Sequence, residues 1–204
     1  MPDTNVAPQT LPVVTDPFRL FSEWLAEAER SEPNDANAFA VATATPDGRP
    51  SVRMVLLKGH DERGFVFYTN GQSRKGQELA ANPHVAMLFH WKSLRRQVRI
   101  EGPVSPVSAA ESDAYFNSRA RVSRLGAIAS DQSRPLPERA ELARRVAEYD
   151  SKYPGDTIPR PPHWFGWRVT PAAMEFWQDM PFRLHDRRVY RPGPDGWTSE
   201  ALYP

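Results

Sequence analysis

The sequence predicts an α+β protein built around a β-barrel of mostly antiparallel strands. Three observations carry this expectation. From Ala38 onward, short runs rich in Val, Phe and Thr are separated by tight-turn signals. Helical periodicity is confined to a few segments. Those segments are inserted between groups of strands and do not alternate with single strands, as a Rossmann sheet would require.

The opening residues are polar and proline-bearing without periodicity, which predicts a mobile arm over 1–15 ahead of one domain over 16–204. Asp16 before Pro17 reads as an N-cap followed by proline at the first helical position. Phe18, Phe21, Leu25 and Ala28 recur at helical spacing beside Trp24, so an amphipathic helix is expected to end near Glu32 and Pro33. AFAVATAT, PDGRP and SVRMVLLK then read as the strand, turn and strand of a hairpin. Further strands are expected at 64–70, 84–91 and 95–102, with a short helix over 73–81 between the first two. Helices are expected near 109–119, 122–129 and 137–153, then a proline-rich loop, PRPPH, and late strands at WFGWRVT, AMEFWQ and FRLHDRRVY.

With 204 residues and 40% hydrophobic content, the chain can bury one sizeable core. Lys+Arg 26 against Asp+Glu 25 leaves a net charge of +1, which excludes an overall basic field for nucleic acid or an acidic membrane. A small or locally charged ligand fits better. The absence of cysteine excludes disulfides, thiolate zinc sites and cysteine nucleophiles, and suits a reducing compartment. No basic segment with a long apolar run precedes Asp16, so neither a signal peptide nor a membrane helix is readable and the cytoplasm is the expected location. His60, His84, His90 and His163 show no paired ligand spacing, and no metal site is expected. The GxSxG pattern of a serine nucleophile is also missing.

Four constellations could carry chemistry. In SVRMVLLK the period of two puts Val52, Met54 and Leu56 on one face and Arg53, Val55 and Leu57 on the other. Arg53 within so apolar a strand needs a partner: either a buried or edge salt bridge, or an anion held by a rigid element. Lys58, at the strand's end, would project from the opposite face into a loop. Ser73, Arg74 and Lys75 open a helix, where free N–H groups, the positive dipole end and two cations would converge on one spot suited to phosphate. The alternative there is a capped surface helix. Tyr115, Arg119 and Ser123 recur at i, i+4 and i+8, so on a continuous helix two hydroxyls and a guanidinium share one stripe that suits a phosphate monoester, unless it is a polar solvent face or the helix breaks at 120–122. Arg183, His185 and Arg187 alternate along FRLHDRRVY and would face one way from one strand, either toward solvent or, beside Trp177 and Phe182, toward a planar anionic ligand.

Together these segments resemble the pyridoxamine-phosphate oxidase family from about residue 16 to 204. The motifs that carry the likeness are RMVLLK (53–58), FYTN followed by SRK (67–75), RRQV (95–98), YFNSRARVS (115–123), QS (132–133), and EFWQ followed by RLHDR (175–187), in the family's order. The resemblance implies a split β-barrel homodimer with two FMN molecules in clefts at the subunit interface, each built from both chains. By motif match, FMN would be contacted by Arg53, Met54, Val55, Leu56, Leu57, Lys58, Tyr68, Thr69, Arg74, Lys75, Gln97, Gln132, Ser133, Trp177 and Arg187. Arg53, Arg74 and Lys75 would surround its phosphate. Lys58, Tyr115, Arg119 and Ser123 would hold the substrate phosphate, with Arg183, Leu184 and His185 against the pyridine ring. Arg183 would position that ring as the leading catalytic group, with His185 as its neighbour. The implied reaction, part of vitamin B6 biosynthesis and salvage, oxidises pyridoxine 5′-phosphate or pyridoxamine 5′-phosphate with O2 to pyridoxal 5′-phosphate and H2O2, releasing NH3 from the amine.

The chain departs from the family's pattern in two places. Relatives often carry an Arg and a Tyr in the N-terminal arm that close over the substrate, whereas this chain has no Arg before Arg19 and no Tyr before Tyr68. Ile128 and Asp131 stand where a Trp and a Lys are common, which bears on the cleft wall and its charge. Two rival functions remain at this point: a flavin oxidase acting on another planar substrate, of the phenazine type, and a non-catalytic carrier of flavin or pyridoxal phosphate. Lys58, Arg119 and Ser123 weigh against the former, because a substrate without phosphate has no use for them.

Overall fold

The computed structural model describes residues 10–204. Its first helix, α1 (Pro17–Ser31), starts where the cap signal sits: the Asp16 carboxylate accepts from the Phe18 and Arg19 N–H groups at 2.9 and 3.3 Å. Residues 1–9 of the expected arm lie outside the described residues. Leu11 is buried and its N–H donates to the Asp186 carboxylate at 2.6 Å, so the described end of that segment is tied to the C-terminal part of the sheet.

Ten strands follow, in chain order β1 (Ala38–Ala44), β2 (Pro50–Leu56), β3 (Gly59–Asp61), β4 (Gly64–Asn70), β5 (His84–Trp91), β6 (Arg96–Pro106), β7 (Trp164–Val169), β8 (Ala173–Gln178), β9 (Asp186–Gly193) and β10 (Gly196–Ala201). Helix α2 (Arg74–Ala81) links β4 to β5, and α3 (Ala109–Ser118), α4 (Arg121–Ala129) and α5 (Arg139–Lys152) lie between β6 and β7. All pairings are antiparallel, and one path runs β10-β9-β8-β6-β5-β1-β2.

The sheet curls because β6 changes neighbour along one edge. Its first half pairs with β8 as far as Glu101, and its end pairs with β7 from Val104. Gly102 stands at the switch, where a Cβ would collide with the Thr170 backbone oxygen, so only glycine lets the connection from β7 to β8 cross there. β7 pairs with β4 and β4 with β3, which continues from β2, so the strands close a split barrel. The expected fold class is present.

Alternation along the strands fills the barrel. Phe39, Val41, Phe65, Phe67, Met87, Phe89, Val98, Ile100 and Val169 are buried in one cluster, and α1 covers it with Leu20, Phe21 and Trp24. Phe21 meets Phe65 and Phe89 edge-on, with ring centroids 4.8 and 5.0 Å apart. A second cluster of Phe116, Leu125, Ile158 and Trp164 fastens α3 and α4 to β7. Helix α5 has no buried residue, and no helix of the described residues is long and apolar enough to cross a membrane.

Several sequence expectations need correction. FRLHDRRVY is not one strand: Pro181–Arg183 form a 3-10 turn, Phe182 and Arg183 have φ of 58° and 62°, and β9 begins only at Asp186. A proline start and two left-handed residues in succession cannot continue a pleated strand. The strands β3 and β10 were not foreseen; one is only three residues long and the other is solvent-facing without strong apolar alternation. β6 extends to Pro106, past the expected end at 102.

Phe21→Ala should destabilise the protein by about 3–5 kcal/mol, because the site is enclosed by other rings and cannot collapse. Equilibrium denaturation of both proteins checks this, and a loss under about 1 kcal/mol would show that α1 is peripheral to the core.

Candidate active site

A cleft of about 710 Å³ opens where β2, β4, β7 and helices α2 to α4 meet. Met54, Val55, Leu56 and Lys58 come from β2 and the residues after it, Tyr68, Thr69 and Asn70 from β4, and Lys75 from α2. Tyr115, Arg119, Ala120, Ser123, Gly126 and Ala127 come from α3, α4 and the turn between them, with Ser130, Gln132 and Trp164 completing the wall. The lining holds three cations and no carboxylate. Burying such groups together is costly unless an anion joins them.

The first cationic station is Lys75. Only 8% of it is exposed, and its ammonium donates to Thr69 Oγ1 and Gln132 Oε1, both at 2.9 Å. Burial, helped by the charge of Arg53, lowers its pKa from the usual lysine value to about 8. Ser73 caps α2, as the sequence predicts, by accepting from the Gly76 N–H. Arg74 and Lys75 do not converge on one spot, however. Neighbouring helix positions point about 100° apart, so Lys75 turns into the cleft while exposed Arg74 pairs with Glu78 at 2.8 Å.

Arg53 lies behind Lys75 and outside the lining. Its guanidinium donates to Val41 O, Thr43 Oγ1 and Ser51 Oγ at 3.3, 2.6 and 2.5 Å, and Glu78 Oε2 lies 3.5 Å away. The Thr43 and Ser51 hydroxyls donate in turn to Glu78 at 2.5 and 2.6 Å. Burial pushes the Glu78 carboxyl up, but bonds from Ser51, Thr43 and Arg74 outweigh it and hold the pKa at about 2. The salt-bridge reading of Arg53 therefore holds in this structure.

The second station centres on Arg119, and here Tyr115, Arg119 and Ser123 line one cleft by a different geometry from the one the sequence predicts. No continuous helix carries Tyr115, Arg119 and Ser123: α3 ends at Ser118, and α4 starts at Arg121 with no side chain capping it at Ala120. At the break the Ser123 N–H donates to Ala120 O at 2.9 Å, and no side chain caps the N–H groups of Arg121 and Val122. The Arg119 guanidinium lies 4.7 Å from the Trp164 ring centroid, its Nη1 is buried without a hydrogen-bond partner, and burial depresses its pKa. Tyr115, Tyr68 and Trp164 stack nearly parallel, with Tyr68 4.1 Å from Tyr115 and 5.4 Å from Trp164, and give the cleft a flat aromatic wall.

The remaining expected residues lie elsewhere. Leu57 is buried in the core, and Ser133 is exposed beside Gln132 with φ of 71°. Gln97, Trp177 and Arg187 are cross-strand neighbours on β6, β8 and β9, and Arg187 donates to Glu175 at 2.8 Å and to Tyr203 O at 2.9 Å. The His185 ring packs on Trp177 at 4.6 Å, while Arg183 and Leu184 face solvent. Because β9 begins only at Asp186, Arg183, His185 and Arg187 do not share one strand face. In the sheet path β2 and β8 are separated by β1, β5 and β6, so this cluster is distinct from the cleft. Ile128 packs with the Phe116 cluster and Asp131 pairs with Arg145 at 2.5 Å; neither lines the cleft.

Sequence reasoning missed Asn70, Ala120, Gly126, Ala127, Ser130 and Trp164. Gly126 and Ala127 follow Ser123 at i+3 and i+4, so a small-residue face over a proposed anion site was the readable signal.

A family model described as pyridoxamine 5′-phosphate oxidase matches residues 25–153, and one described as the pyridoxine 5′-phosphate oxidase C-terminal dimerisation region matches 164–204. Proteins named pyridoxine/pyridoxamine 5′-phosphate oxidase from Gluconobacter oxydans (strain 621H) and Rhodospirillum rubrum are 69% and 64% identical over 93% of this chain and cover 94% and 96% of their own length. Among solved structures, PhzG from Burkholderia lata 383 in complex with tetrahydrophenazine-1-carboxylic acid superposes with a TM-score of 0.87 at 33% identity, over 96% of this chain and 100% of that one.

An anion held by Lys75 needs the ammonium protonated. Binding raises the Lys75 pKa above its free value of about 8, so affinity is full below that pH and falls as pH rises through it. Calorimetric titration with sulfate, which does not titrate in this range, should show affinity level from pH 6 to 7 and declining by up to about tenfold per unit above pH 8. Lys75→Arg should abolish the decline; an unchanged decline would place the titrating group elsewhere.

Proposed function

Because the chain belongs to the pyridoxamine 5′-phosphate oxidase family, we propose that it oxidises pyridoxine 5′-phosphate and pyridoxamine 5′-phosphate to pyridoxal 5′-phosphate with FMN as its resident flavin. With the alcohol, O2 is reduced to H2O2 as two hydrogens leave the substrate. With the amine, water is also consumed and NH3 released. The observation that carries the reading is the pair of uncompensated cationic stations, Lys75 and Arg119, in one cleft with an aromatic wall and no lining carboxylate. Cofactor and substrate each bring one phosphate, and two stations accommodate both.

The residues present fit the flavin. Lys75, Thr69 and Gln132 form one polar cluster, and Lys75 loses its buried-cation penalty when an anion arrives. Arg53 and Arg74 reinforce that end from behind through Glu78. Met54, Val55 and Leu56 supply apolar surface for a ring system. When bound, FMN supplies a two-electron acceptor that dioxygen regenerates.

The chain's own residues bind and orient. Arg119 and Lys58 offer charge to the substrate phosphate, Ser123 and Tyr115 offer hydroxyls, and the open start of α4 adds backbone N–H groups. The Arg119 guanidinium lies against the Trp164 ring, and its Nη1 has no hydrogen-bond partner within the chain's described residues. Fixing the phosphate at one end positions the C4′ carbon at the other, so binding energy is spent on orientation.

A homodimer completes this reading. Val52 and Met54 are 67% and 63% exposed, and Leu56 and Leu88 are also exposed, which leaves an apolar face on β2 and β5 for a second copy. Gln97, Trp177, Arg183, Leu184, His185 and Arg187 would then reach the cleft from the partner. The likeness to PhzG raises a non-phosphorylated substrate as the alternative, and the unpaired Arg119 favours the phosphorylated one.

Anaerobic mixing of FMN-loaded protein with pyridoxine 5′-phosphate should bleach the oxidised flavin, and air should restore it with release of pyridoxal 5′-phosphate and peroxide. Tight FMN binding without bleaching would overturn the substrate assignment. Arg119→Ala should raise KM for the phosphorylated substrate by about 10- to 100-fold, the loss of a charge-assisted bond of about 1.5–3 kcal/mol, with FMN content retained. Arg53→Ala should do the reverse, and equal loss of FMN in both variants would sink the partition into two stations.

A further inference from the structure

We infer that Asn70 is a positioning residue: it ties the chain after α4 to the turn that starts α2, and so holds Gln132 against Lys75 at the station assigned to the FMN phosphate. The inference rests on the proposed function for the identity of that anion. Asn70 ends β4, is 4% exposed and lines the cleft. Its Oδ1 accepts from the Gln72 N–H at 2.7 Å, and its Nδ2 donates to Ser130 O at 3.3 Å. A backbone N–H only donates and a carbonyl only accepts, so the two partners fix which way the amide faces. Aspartate in its place would have no donor for Ser130, and serine would not reach it.

The Oδ1 bond shapes the entry to α2. It closes an Asx-turn, and the Asn70 carbonyl oxygen accepts from Ser73 Oγ at 2.6 Å and from the Ser73 N–H at 3.1 Å. Ser73 in turn caps the helix by accepting from the Gly76 N–H, and a Cβ on Gly76 would collide with Gly71 O, so turn and helix lie in direct contact. Lys75 belongs to this first helical turn. The Nδ2 bond reaches 60 residues along the chain to Ser130, the C-cap of α4, just before Gln132.

Both ties converge on Lys75. Gln132 Oε1 accepts from Lys75 Nζ at 2.9 Å and from Thr69 Oγ1 at 3.2 Å, and Thr69 Oγ1 itself accepts from Lys75 at 2.9 Å. Thr69 and Lys75 sit on a strand and a helix, whereas Gln132 lies in the irregular segment between α4 and α5. Every residue from 131 to 140 is exposed, and α5 has no buried residue, so burial does not hold that segment. Asp131 pairs with Arg145, but Arg145 is on α5 and not on the barrel. The Asn70 bond to Ser130 therefore anchors the approach to Gln132 on β4. Without it, an arriving anion would have to order the segment as it binds, and that entropy lowers affinity.

The test combines FMN titration, followed by flavin fluorescence, with amide hydrogen exchange, both on the full chain. Asn70→Ser keeps an oxygen for the Gln72 N–H, adds no charge and gives up Ser130. It should weaken FMN binding about tenfold and quicken exchange over residues 130–134. Asn70→Asp, which keeps the shape and the Gln72 bond and loses only the donor, should quicken the same exchange. In a Gln132→Ala background Asn70→Ser should weaken FMN by less than a further twofold, because the side chain that Asn70 positions is gone. Full multiplication of the two single effects would show Asn70 acting independently of Gln132 and overturn the inference. Unchanged exchange over 130–134 in both Asn70 variants would overturn it as well. Wild-type protein that binds no FMN would instead overturn the proposed function, while the exchange result would still report on the Asn70 tie.

Discussion

β6 has β5 along one edge and two successive neighbours along the other, β8 up to Glu101 and β7 from Val104, and the rest of the molecule is arranged by that change of partner. Had β6 kept one neighbour, the sheet would have stayed open. Because the neighbour changes at Gly102, the β4–β7 pair swings round to meet β3 and the chain leaving β2. Closure wraps the aromatic cluster around Phe21 and Phe89 and sets the end of β2 beside β4, which makes one wall of the cleft.

The other wall depends on an interruption. A continuous helix through 115–123 would have satisfied its own N–H groups and left Arg119 on a solvated stripe. Breaking it at Ala120 exposes a helix start, and the second hydrophobic cluster pins the two pieces to Trp164. Cations thereby line the cleft without a counter-charge at half-buried Arg119 and buried Lys75, whereas Arg53 and Arg74 share the single carboxylate of Glu78. An anion entering the cleft would relieve the cost of these unpaired cations.

The C-terminal cluster obeys a different constraint. Gln97, Trp177 and Arg187 are brought together by cross-strand register, and His185 by the turn before β9, yet three strands separate β8 from β2. An apolar face on β2 and a C-terminal segment matched by a dimerisation-region model are consistent with a second copy bridging that separation. Asp131, whose charge is taken up by Arg145, and Ile128, which packs with the second hydrophobic cluster, do not line the cleft.

What the sequence determined by itself was local or periodic: the Asp16 cap, the β1–β2 hairpin with Arg53 and Met54 on opposite faces, the bounds of β5, and motifs whose order identifies the family. These follow from hydrogen bonds and side-chain periods within a few residues, which a linear chain displays directly. Tertiary structure alone decided whether Arg74 and Lys75 point together, where the helix breaks near Arg119, why RLH leaves the strand, and that Asn70 meets Ser130. Each of these depends on which partner a side chain finds after closure, and the free energy of burying a charge is set by neighbours distant in sequence, so no local pattern encodes it.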